Sequence, residues 1–240
     1  MKIFGVGMNY IQHNKELDGA LYKPEEPVIF TKADSALLKD HKPFFIPDWS
    51  SRVDYEAELV VRICRLGKGI PVRFAHRYYD ALTVGIDFTA RDLQRRLKDN
   101  GHPWEIAKAF DGSAALGEWR TIPCQEPSSD LLKEEGVEAL ASSDPAAKAQ
   151  EEPSLKKGWD GLRNGLSFHL DINGKTVQTG NTADMLYKVD ELISYISRFF
   201  TLKTGDMLYT GTPVGVGPVH VDDHLEGYLE GEKLLDFWVR

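Results

Sequence analysis

Glu56 and Glu58 stand two residues apart in Val53-Asp54-Tyr55-Glu56-Ala57-Glu58-Leu59-Val60-Val61. The apolar, β-branched run at 59–63 reads as a buried strand, and a strand places residues i and i+2 on one face. Two carboxylates side by side at the edge of an apolar core repel each other and lose hydration, so they require a cation or a shared proton. Mg2+ or a similar hard dication is the usual answer. A solvated strand face, with Asp54, Glu56 and Glu58 turned to water, accounts for the same alternation without any chemistry. A third carboxylate, Asp87, closes the apolar run at 81–88. Strand ends are where a rigid backbone presents ligating and catalytic groups.

Other chemistry-bearing residues surround these acids in the chain. Residues 9–17 can form a short helix on which His13 and Glu16 are i,i+3 neighbours. The carboxylate can then fix the imidazole tautomer and raise its basicity, as a general base needs. An exposed pair worth roughly a few tenths of a kcal/mol has the same spacing. Arg91 and Gln94 share a face of the stretch that follows Asp87, and Lys108 sits among aromatic and small residues where a lysine can be desolvated into a cationic anchor. The loop Gly211-Thr212-Pro213-Val214-Gly215-Val216-Gly217 offers backbone amides and the Thr212 hydroxyl to a carboxylate. It lacks the Gly-Lys-Ser/Thr ending of a phosphate-binding loop, and Gly5-Val6-Gly7 has no third glycine for a dinucleotide fingerprint. His220 and His224 are four apart, but their surroundings read as a strand entering a turn rather than a zinc-binding helix, and no glutamate follows His220.

The elements that must position these groups follow from periodicity. Strands are expected at 2–6, 28–31, 81–88, 166–172 and 207–210, with a helix opened by Pro71 and running to about residue 80. Asn173-Gly174 is a hairpin turn into 175–177, and the end of the chain reads as a second hairpin. Met185, Leu186, Val189, Leu192, Ile193, Ile196 and Phe200 recur at helical spacing, predicting one helix over 184–200. From 125 to 157 the composition turns to Glu, Ser, Ala, Lys and Pro, read as a helical excursion from a single domain spanning 1–240.

The chain has 240 residues, a formal charge of −8 and only two cysteines, Cys64 and Cys124. The acidic total, with no basic stripe against it, excludes nucleic acid and anionic membranes as expected partners. No disulfide framework is implied, and there is neither a signal-peptide pattern nor an 18-residue apolar run, so a cytoplasmic location is expected.

Several blocks in register resemble the fumarylacetoacetate hydrolase family: Asp54-Tyr55-Glu56-Ala57-Glu58-Leu59, Gly85-Ile86-Asp87-Phe88-Thr89-Ala90-Arg91-Asp92-Leu93-Gln94, Lys108-Ala109-Phe110-Asp111, Gln178-Thr179-Gly180-Asn181-Thr182-Ala183-Asp184-Met185, and the loop from Leu208 to Gly217. The resemblance implies an α+β fold, a mixed β-sandwich roll with flanking helices, and a homodimer. It implies a Mg2+ or Mn2+ site, open to Ca2+ in crystals, on Glu56, Glu58 and Asp87. The segment Gly7 to Glu16 is similar to the amino-terminal stretch of the acylpyruvase and oxaloacetate decarboxylase branch, which makes His13 and Glu16 a catalytic dyad on a lid. Lys108 then steadies an oxyanion, and Arg91, Gln94 and Thr212 hold the far end of the substrate. The implied activity is hydrolysis or cleavage of C–C bonds in acylpyruvate, fumarylpyruvate or oxaloacetate through an enolate held by the ion. Isomerisation or decarboxylation of a 2-hydroxyhepta-2,4-diene-1,7-dioate type substrate is the alternative within the class, and a catalytically silent metal-binding protein the alternative outside it. Met8 stands where many relatives carry arginine.

Overall fold

The computed structural model describes residues 1–18, 23–122, 161–162 and 164–240, without the side chains of 16–18. In order, the chain forms β1 (Ile3–Gly7), α1 (Ile11–Asp18), β2 (Val28–Lys32), β3 (Leu37–Leu38), β4 (Val53–Tyr55), β5 (Ala57–Ile63), a 3-10 helix (Val72–Tyr78), β6 (Tyr79–Asp87), β7 (Thr89–Ala90), α2 (Arg91–Asp99), α3 (Glu105–Lys108), β8 (Ala114–Leu116) and β9 (Arg120–Thr121). After residue 164 come β10 (Ser167–Ile172), β11 (Lys175–Asn181), α4 (Val189–Phe199), β12 (Met207–Tyr209), β13 (Gly217–Pro218), β14 (His224–Leu229) and β15 (Glu232–Trp238). The excursion expected at 125–157 lies outside the described residues.

A large sheet has the order β2-β1-β12-β5-β6-β8-β3, with β9 also on β6; it mixes parallel β1/β12 and β3/β8 pairs with antiparallel ones. A four-stranded sheet, β11-β10-β14-β15, packs against it. Between them Leu170, Leu225 and Leu235 meet Ala57, Ile86 and Phe88. Leu59, Val60 and Val61 of β5 are wholly buried, as a central strand covered on both faces requires. α4 sets Val189, Leu192, Ile193 and Ile196, one stripe of a 3.6-residue period, into the main core. The result is the expected α+β architecture, a curled mixed sheet with flanking helices.

A third sheet of three short strands, β13-β4-β7, decides where the acids lie. β4 and β5 are not one strand. The chain leaves the small sheet after Tyr55 and enters the large one at Ala57, so Glu56 belongs to neither. β6 and β7 make the same passage in reverse, and the Asp87 amide donates to the Glu56 carbonyl at 2.8 Å, locking the two crossings together.

Two expected helices differ from the sequence reading. The helix predicted over 184–200 begins only at Val189, because Asn9 captures the preceding backbone: the Leu186 amide donates to the Asn9 carbonyl and the Tyr187 amide to Asn9 Oδ1, both at 2.8 Å. The segment after Pro71 is a 3-10 helix cut off at Tyr78, since Tyr79 already belongs to β6. The Asn173-Gly174 turn is as expected, with φ of 53° and 74°, the left-handed pair a two-residue hairpin demands. No described helix is long and apolar enough to cross a membrane.

Candidate active site

Glu56, at the crossing, Glu58, the second residue of β5, and Asp87, at the end of β6, each offer a carboxylate oxygen within 4.8 Å of the others, and all three are buried. The solvated-face reading of these acids is therefore overturned; Asp54 is buried too.

Cations surround two of the three. Lys108 Nζ bridges Glu56 Oε2 at 2.7 Å and Asp87 Oδ2 at 2.8 Å, and Lys32 Nζ reaches Asp87 Oδ1 at 2.7 Å. Arg91 donates to Glu56 Oε1 at 2.6 Å and to Asp54 Oδ2 at 2.8 Å, while Arg52 closes on Asp54 from the surface. Glu58 Oε2 accepts the Gly211 amide at 2.7 Å, and no ion pair to Glu58 is formed among the described residues. Burial raises the Glu56 carboxyl, but Lys108 and Arg91 beside it outweigh that and hold it far below the usual carboxylate range. Burial also raises Glu58, and here the neighbouring Asp87 and Glu56 charges push the same way, well above the ordinary value. Burial works against the Lys108 ammonium, yet Asp87 and Glu56 overcome it and raise Lys108; for Lys32 burial wins and the shift is downward.

This arrangement fits a dication. Among the described residues, Asp54, Glu56, Glu58 and Asp87 face three buried Lys and Arg cations, Lys32, Arg91 and Lys108, one fewer than the carboxylates. A divalent ion held by Glu56, Glu58 and Asp87 would relieve that imbalance with oxygen donors of the kind Mg2+ and Mn2+ prefer.

Over the triad lies a cavity of about 70 Å3, lined by Met8, His13, Phe30, Lys98, Trp104 and Lys108 among others. A single water needs roughly 10–15 Å3 of such space, so the cavity admits several waters or a compact ligand. A larger cleft of about 930 Å3 opens among Trp49, Leu93, Arg96, Ile106 and Phe110. It holds none of the clustered acids, and we assign the chemistry to the smaller cavity for that reason.

The sequence-predicted residues fare differently. His13 is buried on α1, lines the cavity and lowers the Glu56 pKa through its charge; the side chain of its expected partner Glu16 lies outside the described residues. Lys108 points into the triad from α3. Arg91 and Gln94 lie in the cavity wall, but the Arg91 guanidinium is already held by Asp54 and Glu56, and its Nη1 donates to Gln94 Oε1 at 2.7 Å. Thr212 gives its proton to the Ala57 carbonyl at 2.9 Å and accepts from Gln178 Nε2 at 2.7 Å. The glycine-rich loop does hold a carboxylate, through the Gly211 amide, but it is that of Glu58. His220 is in a turn and exposed, and His224 opens β14 with Nε2 on Asp236, so the two imidazoles share no helix face.

Lys32 and Gln178 were missed as site residues. Lys32 ends a strand that looks ordinary in sequence; only a lysine following an apolar run hints that it is buried. Gln178 of β11 receives the Ala57 amide on Oε1 at 2.9 Å and donates to the Thr212 hydroxyl and the Pro213 carbonyl, tying the glycine-rich loop to the start of β5.

The carboxylates clustered at a sheet-to-sheet crossing are buried together with lysines. Residues 2–235 match the fumarylacetoacetate (FAA) hydrolase C-terminal family, and the chain belongs to that family. It is 36% identical over 233 residues to the oxaloacetate tautomerase YcgM of Escherichia coli, covering 97% of this chain and 90% of that one. It is 31% identical to the mitochondrial oxaloacetate tautomerase FAHD1 of Mus musculus, covering 98% and 90%. Among solved structures, fumarylpyruvate hydrolase from Pseudomonas aeruginosa, in complex with Mn2+ and pyruvate, superposes with a TM-score of 0.78 at 29% identity, covering 100% of this chain and 89% of that one.

Proposed function

We propose that this chain is a divalent-metal-dependent enzyme that moves a proton on a small 2-oxo dicarboxylic acid, interconverting the keto and enol forms of an oxaloacetate-type substrate. The observation that carries the reading is the buried triad Glu56, Glu58 and Asp87 beneath a small cavity. The names of the relatives support the same substrate. When bound at the triad, Mg2+ or Mn2+ supplies positive charge that draws in the carboxylate and neighbouring ketone oxygen and makes the adjacent C–H more acidic.

The remaining steps fall to the chain's own groups. His13, which lines the cavity, is the group we assign to take the proton from carbon 3, and Glu16, three residues on in the sequence, is assigned to orient the imidazole. Lys108 steadies the negative charge that gathers on the ketone oxygen as the C–H bond breaks. Return of the proton to that oxygen gives the enol, so no water attacks and no bond between carbons is broken. Trp104 and Phe30 in the cavity wall keep water from the transferring proton. Hydrolysis of fumarylpyruvate is the second reading, favoured by the likeness to the Pseudomonas enzyme; it needs the His13 proton transfer to run from water instead.

Tautomerisation of oxaloacetate with Mg2+, and product formation from fumarylpyruvate and acetylpyruvate, are to be compared for wild type, Glu56→Ala and His13→Ala. We expect His13→Ala to lose about 10²–10⁴-fold, the contribution of a general base. Full activity of Glu56→Ala in EDTA would sink the metal-dependent reading, and pyruvate release outpacing tautomerisation would transfer it to the hydrolase.

A further inference from the structure

We propose that the face formed by the loop at 65–70, the 3-10 helix Val72–Tyr78 and the end of α4 is a docking surface for an acidic segment of another protein, one that intersperses carboxylates with apolar side chains. Arg65, Arg73, Arg77 and Arg198 are scattered through the sequence and make no basic stripe there. Folding collects them. The Gly69 amide donates to the Ser197 carbonyl and the Ile70 amide to Ser197 Oγ, both at 2.8 Å, and Lys68 Nζ donates to the Phe199 carbonyl at 2.7 Å, so the loop is fixed on α4. Gly67 and Leu202 exchange backbone hydrogen bonds in both directions, and the Tyr78 ring lies so close to Gly67 that a Cβ there would strike it. The surface is built by the chain's own contacts.

Each of the four guanidinium groups lies on an aromatic ring. Arg73 and Arg77 stand 4.8 and 5.0 Å from the centre of Phe74, Arg198 5.6 Å from Tyr195 and 5.5 Å from Phe199, and Arg65 6.0 Å from Tyr78. Stacking engages the flat face of a guanidinium and leaves its N–H edges, the fork that takes a carboxylate through two parallel hydrogen bonds. Among the described residues none of the four is paired with a carboxylate, although the chain carries 37 acidic against 29 basic residues. Glu26, at the border of this face, accepts from the Tyr195 hydroxyl instead, at 3.1 Å. Beside the arginines, Leu66, Val72 and Phe199 are 65, 48 and 56% exposed. Apolar area gathered in this way marks a surface that a partner covers. Charge and apolarity together select the occupant. A purely anionic segment would leave Leu66 and Phe199 wet, and a purely apolar one would strip water from guanidinium groups without replacing it. A phospholipid surface or a nucleic acid spreads its negative charge far beyond this face, where the net charge of −8 opposes it. A peptide segment confines its charge to the arginines.

The test is binding of a fluorescein-labelled random copolymer of glutamate and tyrosine to the full chain, read by anisotropy, beside polyglutamate and phosphatidylserine vesicles. Wild type should bind the copolymer more tightly than polyglutamate, and less tightly as salt rises. The combined variant Arg73→Gln, Arg77→Gln, Arg198→Gln should lose about tenfold or more in affinity, the worth of a hydrogen bond to a charged group. Phe199→Ser should remove the preference for the copolymer over polyglutamate. Lys39→Gln, Lys42→Gln and Lys175→Gln together take the same charge from exposed positions elsewhere and should leave binding nearly unchanged. The urea midpoint checks that each variant folds, and none should alter magnesium affinity, because the face is separate from the triad. Copolymer affinity unaltered by the arginine changes, or lowered as much by the lysine changes, overturns the assignment. So does wild type that binds no copolymer, that prefers the vesicles to it, or that forms a dimer which the arginine changes dissociate.

Discussion

Lys32 Nζ lies 2.7 Å from Asp87 Oδ1, and neither side chain reaches solvent. The same ammonium donates to the Lys108 and Ser113 carbonyls and to Ser113 Oγ, so one lysine fixes both a triad member and the backbone that carries Lys108. Lys32→Met should destabilise the protein by about 2 kcal/mol, as buried acceptors lose their donor. That is below the roughly 3–5 kcal/mol of a fully orphaned buried charge, because Lys108 still holds Asp87. Metal affinity should fall about 10–100-fold, the usual effect of losing a group that orients a ligand. Urea unfolding and magnesium titration check both; affinity within twofold of wild type would show that Asp87 does not depend on Lys32.

Glu58 gives the site a pH dependence with a definite sign. Burial, then the Asp87 and Glu56 charges, raise its folded pKa well above the ordinary value. Its contribution to the stability of the metal-free protein is therefore complete below about pH 4.3, the unfolded value, and is lost as pH rises through the folded one. A dication needs the ionised carboxylate, so its binding releases a proton and weakens as pH falls below the raised value. In Glu58→Gln the metal-free melting temperature should rise relative to wild type near neutral pH, and the magnesium-induced shift should vanish. A magnesium shift of equal size in both proteins would exclude Glu58 as a ligand.

Gly211 is required by both its φ of +100° and its surroundings, since a Cβ there would come within 2.7 Å of Asn9 Cβ. Asn9 ties the turn before α1 to Tyr187 and Thr210, and the Gly211 amide holds Glu58. Gly211→Ala therefore strains a left-handed backbone by about 1–3 kcal/mol and moves the helix that carries His13. We expect turnover to fall more than stability, measured as kcat beside the urea midpoint. A variant with a lower midpoint and unaltered kcat would separate this loop from α1.

The hairpins, the central strands and the acids were legible in sequence because each is a local pattern: Asn173-Gly174 sets its own turn, and Glu56 and Glu58 sit two apart whatever surrounds them. What holds them was not. The break at Glu56 arises because β4 and β5 pair with different sheets, which no local alternation records. The late start of the helix expected at 184–200 depends on Asn9, some 180 residues away in the chain. Lys32 reads as the polar end of a strand until Asp87, from a distant strand, is brought to it. Arg91, picked out as a substrate anchor, proves to be occupied by Asp54, a neighbour of Glu56 in sequence whose own burial the strand pattern leaves open.

Asp54 is contacted by two arginines, and burial separates their worth. Arg91 meets it with both side chains nearly sealed, whereas the Arg52 side chain is 44% exposed. An ion pair at the surface is screened and typically contributes about 0–1 kcal/mol, so Arg52→Ala should be almost silent in stability and turnover. Asp54→Asn removes charge from the sealed pair without changing its shape, and should cost about 1.5–3 kcal/mol, the range for hydrogen bonds to charged groups. It should also free Arg91 to lean wholly on Glu56, competing with a dication for that carboxylate, so magnesium affinity drops along with stability. The two variants are to be compared by urea unfolding and magnesium titration under one set of conditions. Equal losses in both would mean that Arg91 is positioned by α2 alone and that Asp54 plays no part in presenting Glu56.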